Sequence, residues 1–349
     1  MINVNENYPT GTGREDVPSA GATDLLSIHN NLLKPNNMKI TLSNKLTAGL
    51  LLAGLSIPLV VQAQSGPVSG ARAEFIEVAK NVRLHVTDLG EGIPVVLIHG
   101  WPLSDAMYEY QYAELVEKGY RVIGITLRGF GQSSKPYGPY TYDVFADDIK
   151  AVLDKLNIRN ATLGGFSMGG ATAIRYVARH GGAHVSKLAL FGTAAPLWTK
   201  RADFNYGIWS KEDVDGLIAL NKTNRPQLLE NFGKIFAASE TSLSPGMAAW
   251  LGTINWQASS FAMGQCLAAL RDTDLRSDLR KINLPTLILH GKKDKICSYD
   301  LAEQTKNLIR SSVLVPFENS GHALFVEEGE KFNQELVKFI GTGSTVSSN

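Results

Sequence analysis

The stretch Ala161-Thr-Leu-Gly-Gly-Phe-Ser-Met-Gly-Gly170 limits what this 349-residue chain can fold into more than any other. It begins as a β-type run, ends in two glycines, and passes at once into a helical pattern carried by Ala171, Ile174, Val177 and Ala178. Gly165-Phe166-Ser167-Met168-Gly169 inside it follows G-x-S-x-G, the pattern of a nucleophile elbow. A strand turning that sharply into a helix holds its serine in a strained backbone conformation. Side chains two residues either side would collide, so glycine is required there. The turn lifts the Ser167 hydroxyl clear of the sheet edge. It also puts the Met168 N–H at a helix N-terminus, where it can donate to a developing oxyanion.

The surrounding pattern predicts the sheet this elbow needs. Residues 73–78 and 82–87 alternate as an antiparallel hairpin around Lys80-Asn81. Pro94–His99, Tyr120–Ile125, Leu188–Phe191, Thr286–Leu289 and Ser312–Pro316 are apolar runs typical of buried strands. Helical stretches separate them at Tyr108–Lys118, Val144–Leu156, Leu301–Ile309 and Phe332–Ile340. Such alternation predicts an α/β chain: a mostly parallel sheet, helices on both faces, opened by an antiparallel hairpin. Between about 196 and 281 the alternation stops. Helical patterns there carry Trp209, Trp250, Trp256, Phe232 and Phe236, which we read as a helical cap over the C-terminal edge of the sheet.

A serine hydroxyl needs a base within reach, and the base needs an orienting acceptor. In an open parallel sheet all three belong at the C-terminal ends of strands. The strand at 286–289 runs into His290-Gly-Lys-Lys-Asp294, and the next into Glu318-Asn-Ser-Gly-His322. The order Ser167, Asp294, His322 therefore predicts nucleophile, acid and base. A second oxyanion donor belongs in the loop after an early buried strand. That loop is His99-Gly-Trp-Pro-Leu-Ser104, which assigns the N–H of Trp101. His99 and His290 read as structural turn residues, and His85, His180 and His184 have no placement near the elbow.

The termini differ from this core. Residues 1–37 are rich in Asn, Gly, Pro, Ser and Thr and read as a disordered extension. Residues 38–63 have the order of a secretory signal peptide: a charged start, an uncharged run from Leu46 to Val61, then Val61-Gln-Ala63. This predicts a start at Met38, a mature chain from about Gln64, and a periplasmic or secreted protein with no membrane contact after cleavage. Cys266 and Cys297 would then meet an oxidising compartment, where a disulfide or two buried thiols are both open. A net charge of +1 offers nothing to nucleic acid. Nothing in the composition decides between a monomer and a homo-oligomer.

Residues 72–341 resemble the α/β-hydrolases, and more narrowly the bacterial cofactor-free haloperoxidases, or perhydrolases, and their aryl esterase relatives. The resemblance rests on His99-Gly-Trp-Pro-Leu-Ser104, Arg128-Gly-Phe-Gly-Gln-Ser133, Gly165-Phe-Ser-Met-Gly-Gly170, Thr273-Asp-Leu-Arg-Ser-Asp-Leu279 and Ser320-Gly-His322. It implies the α/β-hydrolase fold, Ser167 as nucleophile, His322 as base, Asp294 as acid, and Trp101 and Met168 as oxyanion donors. It implies no haem, metal or flavin. Its substrates would be small carboxylic esters, or a carboxylic acid and hydrogen peroxide giving a peracid. Pro102 after the oxyanion residue goes with perhydrolysis in that family. Thr126 stands where relatives usually carry Asp, and Ile296-Cys297 where they commonly carry Val-Pro. Lactone or carbon–carbon hydrolysis on the same fold, and a secreted binding protein without turnover, are the alternatives.

Overall fold

In the computed structural model residues 75–341 are described. The extension at 1–37 and the signal-peptide reading at 38–63 lie outside the described residues. β1 (Phe75–Ala79) and β2 (Val82–Leu89) form the antiparallel hairpin, turning at Asn81 with φ 62°, a left-handed conformation asparagine tolerates. β3 (Pro94–Ile98), β4 (Arg121–Ile125), β5 (Ala161–Phe166), β6 (Val185–Phe191), β7 (Thr286–Gly291) and β8 (Ser312–Phe317) continue one sheet in the order β1-β2-β4-β3-β5-β6-β7-β8. From β4 to β8 all pairings are parallel, while β2 joins β4 antiparallel. β5 and β7 are buried at every position, as strands covered on both faces are.

The strand order positions the site. β3 has β4 on one side and β5 on the other, with Ile98 in register with Gly165. The crossover from β3 to β4 moves outward in one direction, and those from β5 to β6 and β7 in the other. Right-handed crossovers in opposite directions place their helices on opposite faces. The chains leaving β3 and β5 therefore part side by side, opening a crevice at their C-terminal ends.

α1 (Glu109–Glu117) follows β3 and packs with the last helix, α11 (Gly329–Gly341). α2 (Tyr142–Lys155) and α3 (Met168–His180) pack together on the other face. α2 starts at Thr141, whose hydroxyl accepts from Val144 N–H, and buries Phe145, Ile149, Val152 and Leu153 along one stripe. α9 (Tyr299–Leu308) connects β7 to β8, and the short α10 (Leu324–Glu327), which periodicity did not reveal, follows β8.

Between β6 and β7 lie α4 (Lys211–Thr223), α5 (Arg225–Phe236), α6 (Pro245–Trp256), α7 (Ser260–Asp272) and the single turn α8 (Arg276–Leu279). Their starts are written in the sequence. Ser210 and Asp213 form a reciprocal cap for α4, Asn224 with Pro226 starts α5, and Ser244 with Pro245 starts α6.

Candidate active site

Ser167 sits between β5 and α3 with φ 53° and ψ −116°, a sparsely populated conformation for a residue with a side chain. Three backbone bonds pin it: Ser167 N–H donates to the Phe191 carbonyl at 2.8 Å, and the Ser167 carbonyl accepts from Ala171 N–H at 3.1 Å and from Ala194 N–H at 3.3 Å. The glycines of the motif are needed for close approach. A Cβ on Gly165 would overlap the Gly169 carbonyl, and one on Gly169 would overlap the carbonyls of Ile98 and His99. The second of these contacts brings the loop after β3 against the elbow.

The structure brings Asp294 and His322 together. His322 Nδ1 lies 2.6 Å from Asp294 Oδ2, and both side chains are wholly buried. Beside an ionised carboxylate, that nitrogen carries the proton and donates. Asp294 Oδ1 accepts from the N–H groups of Ile296 and Cys297, each at 2.8 Å, so the acid is fixed by its own turn. Burial opposes ionisation of Asp294, yet the charge of His322 and hydrogen bonds from His290 and His322 outweigh it. Together they hold the carboxyl well below the usual range. His322 Nε2 is buried and makes no hydrogen bond to the protein. The Phe166 ring, next to Ser167 in the chain, lies 4.6 Å from the imidazole.

Trp101 stands in the loop after β3, and the Trp101–Pro102 peptide is cis. A Cβ on the preceding Gly100 would press on the Phe166 ring and on Ser167 Cβ, at 2.7 and 3.0 Å. The Trp101 backbone thus lies beside the elbow. His99 holds this loop. Burial pushes its imidazole down to about 4, against the opposing effects of the Gly100 carbonyl and Asp105. It is neutral at physiological pH, with Nδ1 2.9 Å from the Gly100 carbonyl and Nε2 accepting from Leu127 N–H at 3.0 Å. Phe130 of the Arg-Gly-Phe-Gly motif packs edge-on against the same ring at 5.3 Å. Thr126 donates to Asp105, which also accepts from Thr87 and Tyr112. In this chain Asp105 supplies the buried carboxylate beside position 126.

A cavity of ≈ 70 Å³ lies over Ser167, and the polar side chains among its lining are Ser167 and Asn231. Trp101, Trp198 and Trp209 line it with their indole N–H groups engaged elsewhere. Trp101 donates to the Met263 carbonyl at 3.2 Å, and Trp198 and Trp209 both donate to the Ile296 carbonyl at 2.9 Å. Of the aromatics seen in the cap sequence, Trp209 and Phe232 line this cavity. Trp250 instead packs on Tyr110, and Phe236 packs on His322. Both cysteines are free and buried, and burial pushes both thiols up, so neither is a ready nucleophile.

Two residues of the site escaped sequence reading. His290 is more than a turn residue: its Nε2 lies 2.8 Å from the Cys297 carbonyl and 3.4 Å from Asp294 Oδ2, bracing the acid loop. Glu327 in α10 accepts from Gly321 N–H and from Ala238 N–H, both at 2.8 Å, tying the His322 loop to the end of α5. Burial pushes its carboxyl up. Neither stands in a local pattern; only their fold neighbours give them meaning.

Residues 93–329 match the model of the alpha/beta hydrolase fold. The chain is 49% identical over 265 residues to the AB hydrolase superfamily protein YisY of Bacillus subtilis, covering 76% of this chain and 98% of that one. Among solved structures, the esterase EaEST from Exiguobacterium antarcticum is 44% identical with a TM-score of 0.74. A bromoperoxidase from Bacillus anthracis is 34% identical, also at 0.74. Each covers 76% of this chain and 98% of its own.

Proposed function

The chain belongs to the α/β-hydrolase family, and from that premise we propose that it hydrolyses small carboxylic esters through Ser167, His322 and Asp294. One observation carries the reading: a buried imidazole, proton fixed on the nitrogen facing Asp294, leaves its other nitrogen without a protein partner, and its ring lies 4.6 Å from that of Phe166, the residue before the strained Ser167. As the Ser167 Oγ–carbon bond forms, the hydroxyl proton passes to His322 Nε2. The oxyanion is held by the N–H groups of Trp101 and Met168, either of which is worth about 100- to 1000-fold in rate. The leaving alcohol takes its proton from His322. Water then attacks the acyl-serine, again through His322, and releases the acid.

A second reading is favoured by the likeness to the bromoperoxidase and by Pro102. Hydrogen peroxide in place of water would release a peracid from the same acyl-serine. Lactone and carbon–carbon hydrolysis remain readings for the same panel of substrates. A fluorophosphonate probe should label the purified protein on Ser167 and leave Ser167→Ala unlabelled, and p-nitrophenyl acetate turnover should vanish with the label. A panel run with and without peroxide separates the two readings. An unlabelled wild-type protein that turns over no ester would return the chain to the class of binding proteins.

We also propose export, supported by the charged, apolar and small-residue order of residues 38–63. Sequencing the N-terminus of the native protein should read from about Gln64; a protein retained in the cell with those residues attached would refute it.

A further inference from the structure

We infer that the cap groove between α5 and α6 is a subsite for the hydrocarbon tail of longer acyl chains, and that the Phe232 ring is the partition closing it from the chamber over Ser167. The inference rests on the ester-hydrolase reading and names the substrate class that site can be opened to.

The Phe232 side chain borders two spaces. On one side is the chamber of ≈ 70 Å³ with Ser167. On the other is a groove of ≈ 420 Å³ between α5 and α6. At 10–15 Å³ per water-sized group, the chamber admits on the order of five such groups, enough for an acetyl but not an octanoyl. The ring stands edge-on to Trp101 at 5.0 Å and against Phe236 at 5.6 Å, and Phe236 in turn touches the His322 ring at 5.6 Å. The near end of the groove is therefore one aromatic ring away from the reacting atoms.

The groove is built to be open and apolar. Its polar lining side chains are Glu230 and Asn255; Leu229, Leu243, Leu251 and Trp256 supply hydrocarbon. Gly233 in α5 and Gly252 in α6 both line it. Neither has a positive φ, and a Cβ on either would meet nothing within 4 Å. No close approach demands them, although glycine inside a helix is unfavourable. Their effect is to leave the groove wide along its length. Trp256, 48% exposed, is part of its lining.

The test is the ratio of kcat/KM for p-nitrophenyl octanoate to that for the acetate. Phe232→Ala should raise this ratio at least 10-fold, since each methylene taken from water is worth about fourfold. Phe232→Leu, which keeps apolar packing on Trp101, should raise it less and serves if the alanine variant does not fold. Adding Gly252→Leu to Phe232→Ala should bring the ratio back towards the wild-type value, because the new side chain fills the groove and not the chamber. A ratio unmoved by either Phe232 variant, or one that stays high after Gly252→Leu, overturns the inference. Should the wild-type protein turn over no ester, the hydrolase reading falls by itself. Calorimetric binding of octanoic acid then decides the groove: strengthened by Phe232→Ala and weakened by Gly252→Leu if the subsite exists, indifferent to both if it does not.

Discussion

His322→Ala should lower kcat/KM for p-nitrophenyl acetate by about 10⁴-fold or more while the protein still folds. The activity loss follows from the proposed proton path through His322 Nε2: among the described residues His290 braces the acid loop, with Nε2 on Cys297 and Asp294 and Nδ1 without a hydrogen bond, and both ring nitrogens of His99 are taken up by Gly100 and Leu127. Survival of the fold follows from how Asp294 is held. Losing His322 leaves its carboxylate with two backbone N–H donors at 2.8 Å and His290 at 3.4 Å, so the buried charge is not orphaned. The pH dependence of stability should change in a definite sense. In the wild-type protein the Asp294 carboxyl lies below its ordinary value, so the stability it contributes is present above about pH 4 and lost as pH falls through that range. Without His322, burial gains ground against ionisation, and the variant recovers less stability on raising the pH. The gap between the two thermal midpoints should therefore widen from pH 3 to pH 6. Activity within tenfold of wild type, or a gap that narrows over that range, would remove His322 from the role of base.

The same geometry shows what a linear chain discloses and what it conceals. The places of Ser167, Asp294 and His322 after strand ends were readable, because each follows a β-type run in an alternating pattern, and the structure brings Asp294 and His322 together. The place of Trp101 in the loop after β3 was readable for the same reason. The caps of α4, α5 and α6 were readable because Ser, Asn and Pro punctuate them within three residues. His290 and Glu327 were not, because their partners, Cys297, Gly321 and Ala238, are set by packing between separate elements. The cap aromatics divide the same way. Composition says they cluster; only the packing of α5 against α6 decides that Phe232 borders both the chamber and the groove while Trp256 lines the groove.

The Arg128-Gly-Phe-Gly motif reads in sequence as part of a family signature, and the structure gives it a mechanical task. Arg128 Nε and Nη2 donate to the two oxygens of Asp148 in α2, both at 2.6 Å, with both side chains nearly out of solvent. The next residues pass that anchor on. The Gly129 carbonyl accepts from Ser259 N–H at the start of α7, and Phe130 supports His99 under the Trp101 loop. Asp148→Ala leaves a guanidinium buried without its partner, a change that costs about 3–5 kcal/mol. Against a total of about 5–15 kcal/mol that is a large share, and the thermal midpoint should fall by about 10 °C. Activity assayed well below the new midpoint should fall much less than in His322→Ala, because the pair touches no reacting atom. Arg128→Met with Asp148→Leu should regain most of the loss, since two packed apolar groups replace a charge pair whose desolvation cost is gone. A single-variant loss under 1 kcal/mol, or a double variant less stable than Asp148→Ala, would mean that the motif's arginine anchors nothing, and the support of the Trp101 loop would have to come from Ser133, whose hydroxyl donates to the Thr126 carbonyl at 2.6 Å and accepts from His85 N–H at 2.9 Å.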